Sequence, residues 1–234
     1  MNLAIVTARG GSKRIPRKNI RQFCGKPIIA FSIQAALEAG CFDRVMVSTD
    51  DGEIARIAMD YGAEVPFLRS PESSSDHATT AQVLIEVVER YAKQGFFPDN
   101  ICCLYPTAPF VTPEVLRLGL GLLRERPEVQ AVFPVVRFSF PIQRALRIRE
   151  GLVSFFQPEH TFTRSQDLEP AYHDAGQFYV ARTPRFMETR TLVPPGTAGI
   201  VLPEWQVQDI DNEDDWVLAE MKYRLLQQKA AIDA

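Results

Sequence analysis

The chain has 234 residues, 26 basic and 29 acidic: enough for one α/β domain with a full core, and too acidic overall for a general nucleic-acid surface, which needs a basic face. No apolar run reaches the roughly 18 residues of a membrane helix, and "MNLAIVTARGG" is too short in its apolar part for a signal peptide, so a cytoplasmic protein is expected. Cys24, Cys41, Cys102 and Cys103 match neither a disulfide framework nor zinc-ligand spacing and read as buried thiols.

The β-branched run "LAIVT" (3–7) predicts a buried parallel strand ending at the pair Gly10, Gly11. "PIIAFSIQAALEAG" predicts a helix with Pro27 in its first turn and Gly40 as its stop. There follow "RVMVST" as strand, "DGEIARIAMDYG" as helix, "AEVPFL" as strand and "TTAQVLIEVVERYAKQG" as helix. "NICCLYP" then reads as strand, "TPEVLRLGLGLLRER" as helix and "QAVFPVV" as strand. This alternation predicts a doubly wound, mostly parallel α/β sheet with helices on both faces, its ligands at the carboxyl ends of the strands near a switch point.

After Val136 the rhythm breaks. "RALRIREGLVSFF" reads as a hairpin turning at Arg-Glu-Gly, and the polar, irregular run after it makes residues 137–171 an excursion inserted into a single domain, 1–234. The excursion holds more aromatic and aliphatic side chains than an exposed loop tolerates, which suits an interface or a fold back onto its own sheet. The chain returns with "AGQFYVA", "GIVLP" and "WQVQDID" as strands and ends in an amphipathic helix, "NEDDWVLAEMKYRLLQQKA", with acids in its first turn.

"ARGGSKRIPRKNIRQFCGKP" (8–27) carries seven basic residues, and the chain's first acid is Glu38. Gly10 and Gly11 can form a backbone N–H nest for an anion, and Lys13, Arg14 and Lys18 add full charge, which together suit a polyphosphate. The spacing fits neither G-x-G-x-x-G nor a P-loop; the plain alternative is a solvated basic loop. At the far end "QDIDNEDDW" offers Asp209 and Asp211 on one face of an expected strand as ligands for magnesium, while Glu213, Asp214 and Asp215 suit the start of the helix. "LRSPESSSDHATT" reads by itself as a Ser-rich loop with Asp76 as a helix cap.

"ARGGSKRIPRKN" resembles the first motif of the acylneuraminate cytidylyltransferases, which activate nine-carbon acidic sugars with CTP. "GKPIIAFSIQAAL", "VMVSTDDGEIARIAMDYGAEVPFLR", "YPTAP" and "DIDNEDDW" fall where that family has its corresponding blocks, in the same order across essentially the whole chain. The resemblance implies a Rossmann-like nucleotide-diphospho-sugar transferase fold, CTP as co-substrate, Mg2+ as cofactor and a homodimer made by exchanging the excursion. It implies triphosphate binding by Gly10, Gly11, Ser12, Lys13 and Lys18, with Arg9 and Asn19 positioning the nucleotide. It also implies metal binding by Asp209 and Asp211, and a cytosine pocket near Arg69, Ser75 and Asp76.

Where sialic acid enzymes read Q-P-T-S-P-L-R, this chain has Tyr105 for the glutamine and Phe110, Val111 for leucine and arginine. "FTRSQDLEPAYHDAGQFYV" resembles the branch that activates pseudaminic acid. On that reading Arg164 pairs with the sugar carboxylate, a task suited to a planar guanidinium, while Gln166, Tyr172, His173, Asp174 and Gln177 meet hydroxyl and acylamino groups. Sialic or legionaminic acid is the alternative substrate; outside catalysis, the same features would suit a noncatalytic nucleotide-binding subunit.

Overall fold

The computed structural model describes residues 1–12, 14–75 and 77–232. Strand β1 (Asn2–Thr7) is buried on both faces: Ala4 and Val6 join one core, Leu3 and Ile5 the other. The basic stretch then folds through a tight hairpin, β2 (Gln22–Phe23) and β3 (Lys26–Pro27), into helix α1 (Ile29–Ala39). Cys24 and Gly25 both take positive φ, the twist that a two-residue hairpin turn requires. Pro27 therefore pairs with Gln22 in the hairpin, ahead of the helix and outside its first turn. Gly40, at φ 63°, closes α1 as expected.

Strand β4 (Arg44–Ser48) leads into α2 (Gly52–Asp60), which Asp51 caps by accepting from the N–H groups of Glu53 and Ile54. The expected strand at 63–68 reduces to one bridge, Met46 to Glu64, because Pro66 has no N–H to continue the ladder. A short helix α3 (Pro71–Ser74), which the sequence did not announce, precedes α4 (Thr80–Lys93), whose Thr79 and Gln82 form a capping box. Strand β5 (Asn100–Leu104), α5 (Pro113–Glu125) and β6 (Ala131–Arg137) follow.

The excursion holds β7 (Leu146–Arg149) and β8 (Leu152–Phe155), a hairpin that forms its own two-stranded sheet and turns at Glu150 and Gly151, both at positive φ. β9 (Tyr172–Asp174) and β10 (Phe178–Arg182) then run antiparallel along one edge of β6, separated by the turn at 175–177. α6 (Thr183–Thr189), β11 (Thr197–Leu202) and α7 (Glu213–Ile232) complete the elements. "WQVQDID" is not a strand: Glu204–Gln206 make a 3-10 turn, and the residues up to Asp211 pair with no sheet neighbour.

Among the described residues the main sheet has the order β11-β6-β10-β5-β1-β4, with β9 beside β6, and is parallel except for β9 and β10. α1, α2 and α5 cover one face, α4 and α6 the other. The chain leaves β1 toward β4 and comes back across it to β5, so the switch point, where this architecture opens a crevice, lies between β1 and β5. A third core underlies the basic stretch: Ile15, Phe23, Ile28 and Phe31 pack with Phe110, Ile210 and Trp216. No helix among the described residues is long and apolar enough to cross a membrane.

Candidate active site

The loop after β1 is held by acids of the β4–α2 turn. Gly10 donates its N–H to Asp50 Oδ1 at 2.8 Å, and a Cβ on Gly10 would stand 2.8 Å from Asp51 Oδ2. The expected nest is thus only half present, since the Gly10 N–H is committed to a carboxylate; Gly11 faces open space. Arg17, in the left-handed region at φ 53°, pairs with Asp51 and Glu53 and fastens the loop to α2. Its hydrogen bond, aided by the N–H groups of Ile54 and Glu53, holds the Asp51 carboxyl down at about 2.

The segment before α7 meets the same loop from the other side. Arg21 lies over the Trp216 ring at 4.5 Å and pairs with Glu213 at 2.6 Å. Lys18 donates to the Ile210 carbonyl at 2.6 Å with Asp211 Oδ1 at 3.8 Å, and Arg14 pairs with the same carboxylate oxygen at 2.7 Å. Asn19 donates its amide to the Arg9 carbonyl at 2.8 Å, fixing the loop's internal shape. Asn212 and Asp215 cap α7 reciprocally, and Asp215 also accepts from the N–H of Asp211. The capping role expected of the late acids is thus carried by Asp215, while Glu213 is spent on Arg21.

Between these walls, at the carboxyl ends of β1 and β5, lies a cavity of about 600 Å³, a size suited to a nucleotide-sized ligand. Arg9, Gly11, Ser12, Arg14, Lys18 and Asn19 line one side; Arg69, Ser73, Ser75, Ala78 and Thr80 line another; Tyr105, Pro106, Thr107 and Asp209 complete it. Burial pushes the Lys18 ammonium down while Asp211 and Asp209 push it up. Burial raises Asp209, repulsion from Asp211 raises it further, and Lys18 opposes both. The half-buried Arg69 is fixed to the end of β4, donating to Ser48 Oγ at 2.9 Å and Ser48 O at 2.7 Å, and burial lowers it to about 10, so it stays charged at neutral pH.

Asp209 and Asp211 fit a divalent cation, which would relieve the repulsion that raises Asp209. Among the described residues no group of three or more His, Cys, Asp or Glu side chains gathers to hold a metal. Such an ion would take two protein carboxylates and fill its shell with water and phosphate oxygens, the usual habit of magnesium.

The remaining expectations separate. Lys13 and Asp76 lie outside the described residues. Tyr105 lines the cavity, pinned through its N–H to Gln177 O at 2.9 Å and through its carbonyl to Ser32 Oγ at 2.7 Å. Gln177 is 2 % exposed and donates to the Gln206 carbonyl at 2.9 Å, bracing the turn at Glu204–Gln206, while its Oε1 is buried with no hydrogen-bond partner among the described residues. His173 and Asp174 line a neighbouring cavity of about 260 Å³ that shares Asp209 with the first. Arg164, Gln166 and Tyr172 are exposed and absent from the described lining of either cavity; Arg164 pairs with Asp167 at 2.8 Å. Sequence reasoning did not single out Thr80 and Thr107, which line the cavity. A threonine at a predicted helix start was the available signal for Thr80.

The sequence profile of the Cytidylyltransferase family matches residues 3–194, most of the chain but ending before Asp209. The chain is 40% identical over 230 residues to the pseudaminic acid cytidylyltransferase of Campylobacter jejuni, covering 98% of this chain and 99% of that one. It is 32% identical over 233 residues to the CMP-N,N'-diacetyllegionaminic acid synthase of Legionella pneumophila, covering 97% of each. Among solved structures it resembles a CMP:2-keto-3-deoxy-manno-octonic acid synthetase complexed with CTP, with TM-score 0.70, 16% identity, and 97% and 99% coverage of the two chains, a likeness of fold.

Proposed function

From a chain that belongs to the cytidylyltransferase family, we infer an enzyme that couples CTP to pseudaminic acid, giving CMP-pseudaminic acid and pyrophosphate. The observation that carries this reading is the 40% identity over nearly the full length of the Campylobacter jejuni enzyme, joined to a cavity lined by the cations Arg9, Arg14, Lys18 and Arg69 and by the carboxylate of Asp209. A legionaminic acid substrate is the second reading, supported by the Legionella pneumophila relative. An enzyme consuming CTP and making an activated sugar for surface glycans works in the cytoplasm.

In this mechanism the anomeric hydroxyl of the sugar attacks the α-phosphorus of CTP in line, the new P–O bond forming as the bond to pyrophosphate breaks. Gly11 and Ser12 approach the triphosphate without bulk, while Lys18 and Arg14 supply charge to it. Arg9 and Asn19 hold the nucleotide's register, and Arg69 and Ser75 flank the base. Asp209 and Asp211 would hold Mg2+, which supplies charge neutralisation on the phosphoryl oxygens. Positioning and fixed charge carry most of the rate enhancement.

The excursion is the dimer arm. Phe140 is 84% exposed, Ile148 72%, Leu152 76% and Phe162 96%, more apolar surface than a monomer leaves uncovered. Exchanged between subunits, it brings Arg164 and Gln166 to the partner's sugar.

The test is pyrophosphate release from CTP and magnesium with pseudaminic, legionaminic and N-acetylneuraminic acids side by side. Turnover favouring the first by at least about tenfold in kcat/KM supports the reading. Preference for another acid replaces the substrate, and no turnover with any of them removes the enzyme class.

A further inference from the structure

Asp209 sits on a stretch that pairs with no strand, and side chains sent in from elsewhere in the fold hold the backbone on either side of it. Beyond it, Lys18 donates to the Ile210 carbonyl at 2.6 Å. Before it, Gln177 donates to the Gln206 carbonyl at 2.9 Å, and Lys222, from the middle of α7, donates to the Val207 carbonyl at 2.9 Å. The same ammonium reaches the Glu204 carbonyl at 3.4 Å and Gln208 Oε1 at 3.0 Å. Lys222 thus has three acceptors for its three protons, all on one turn and none of them a carboxylate.

Lys222 also settles which way the Gln208 amide faces. An ammonium only donates, so the amide oxygen turns toward it and the NH2 group turns away. That NH2 group donates to the carbonyl of Asp209 at 3.0 Å. The reversed amide would set N–H groups against the ammonium and an oxygen against a carbonyl, losing both bonds. A charge on α7 therefore acts, through one neutral side chain, on the backbone of a residue that lines the nucleotide-sized cavity.

The geometry assigns Lys222 and Gln208 a positioning role: they fix the backbone of Asp209 so that its carboxylate meets the metal in one place. The assignment rests on the reading above that Asp209 is a metal ligand. Magnesium demands near-octahedral oxygen ligands at about 2.0–2.1 Å, so a carboxylate on a loosened backbone gives up the ion while the fold persists.

CTP binding is measured by calorimetry on the full chain, once with excess Mg2+ and once with EDTA, and without sugar so that nothing turns over. In the wild type Mg2+ tightens CTP binding about tenfold. Asp209→Asn and Lys222→Met each cut that gain to about twofold or less and leave the EDTA value within about twofold; Lys222→Arg, which keeps charge and donors, restores most of it. In steady-state pyrophosphate release Lys222→Met lowers kcat about tenfold, with KM for the sugar within about twofold. A merely structural lysine would lower Tm and leave the Mg2+ gain alone. A wild-type Mg2+ gain in Lys222→Met overturns the assignment. So does a raised sugar KM at unchanged kcat, which would make Lys222 a sugar contact in the neighbouring cavity it lines. Should Lys222→Met not fold, Gln208→Leu, of similar size, carries the same expectation. If Mg2+ does not tighten CTP binding in the wild type, the metal reading falls and this role with it; if Asp209→Asn removes the gain and Lys222→Met keeps it, this role alone falls.

Discussion

Gly10 and Gly11 are adjacent and chemically identical, yet the structure gives them opposite tolerances. An alanine at Gly10 puts its Cβ 2.8 Å from Asp51 Oδ2 and 3.0 Å from Asp51 Cβ. Rotating the carboxylate away does not remove the second contact, and its oxygens are already taken by Arg17 and by the N–H groups of Glu53 and Ile54. Either the loop moves or Asp51 gives up the α2 cap, worth about 1 kcal/mol, together with its charge-assisted bond to Arg17, so Gly10→Ala costs about 2–3 kcal/mol. For a chain of this size that is a fall in Tm of about 4–12 °C by differential scanning calorimetry. Gly11→Ala meets nothing within 4 Å. Its Tm should stay within about 1 °C while KM for CTP rises several-fold, because the new methyl occupies the cavity wall. Equal Tm values for the two variants, or the larger fall in Gly11→Ala, would refute the reasoning.

Three further outcomes are expected. The Asp51 carboxyl, held at about 2 against an ordinary 3.8, is depressed in the folded protein, so its contribution is present above pH 3.8 and lost as pH falls toward 2. Urea titrations across pH 5 to 2 should show the wild type losing about 2 kcal/mol more than Asp51→Asn, and parallel curves would rule this out. Asp209→Asn and Asp211→Asn should each lower kcat at least about a hundredfold, with unfolding midpoints near the wild type; activity within tenfold would remove the carboxylate pair from catalysis. Ile148→Asp with Leu152→Asp should convert a dimer to a monomer in sedimentation velocity, and an unaltered dimer would place the interface elsewhere.

The main sheet was legible because its central strands are buried on both faces and read as apolar runs between helical periods; "LAIVT" and "NICCL" needed no tertiary information. Two strands failed for local reasons. Pro66 interrupts the ladder at 63–68, and 205–211 turns through Glu204–Gln206, a bend its alternating pattern conceals. The two-residue strands and β9 are too short to carry a period. Of the residues singled out in the sequence, Arg9, Gly11, Ser12, Lys18, Asn19, Arg69, Ser75, Tyr105 and Asp209 line one cavity. What composition could not reveal is which partner each charge takes: Arg17 belongs to Asp51, Arg21 to Glu213, and the Gly10 N–H to Asp50. The burial of Gln177 and its hold on the turn at Glu204–Gln206 were not legible from a glutamine beside a polar loop.

The stitching of the basic loop to the segment before α7 has a consequence in time. Lys18 and the carbonyl that holds it are 192 residues apart, as are Arg21 and Glu213. On the ribosome, where amino-terminal segments emerge and begin to fold first, the basic loop is made early and its acidic counterpart 192 residues later. A nascent chain still lacking residues 209–216 has the cations without the Ile210 carbonyl that holds Lys18 and without Trp216 to seat Arg21. The basic loop therefore cannot be fastened on this side until translation has passed residue 216.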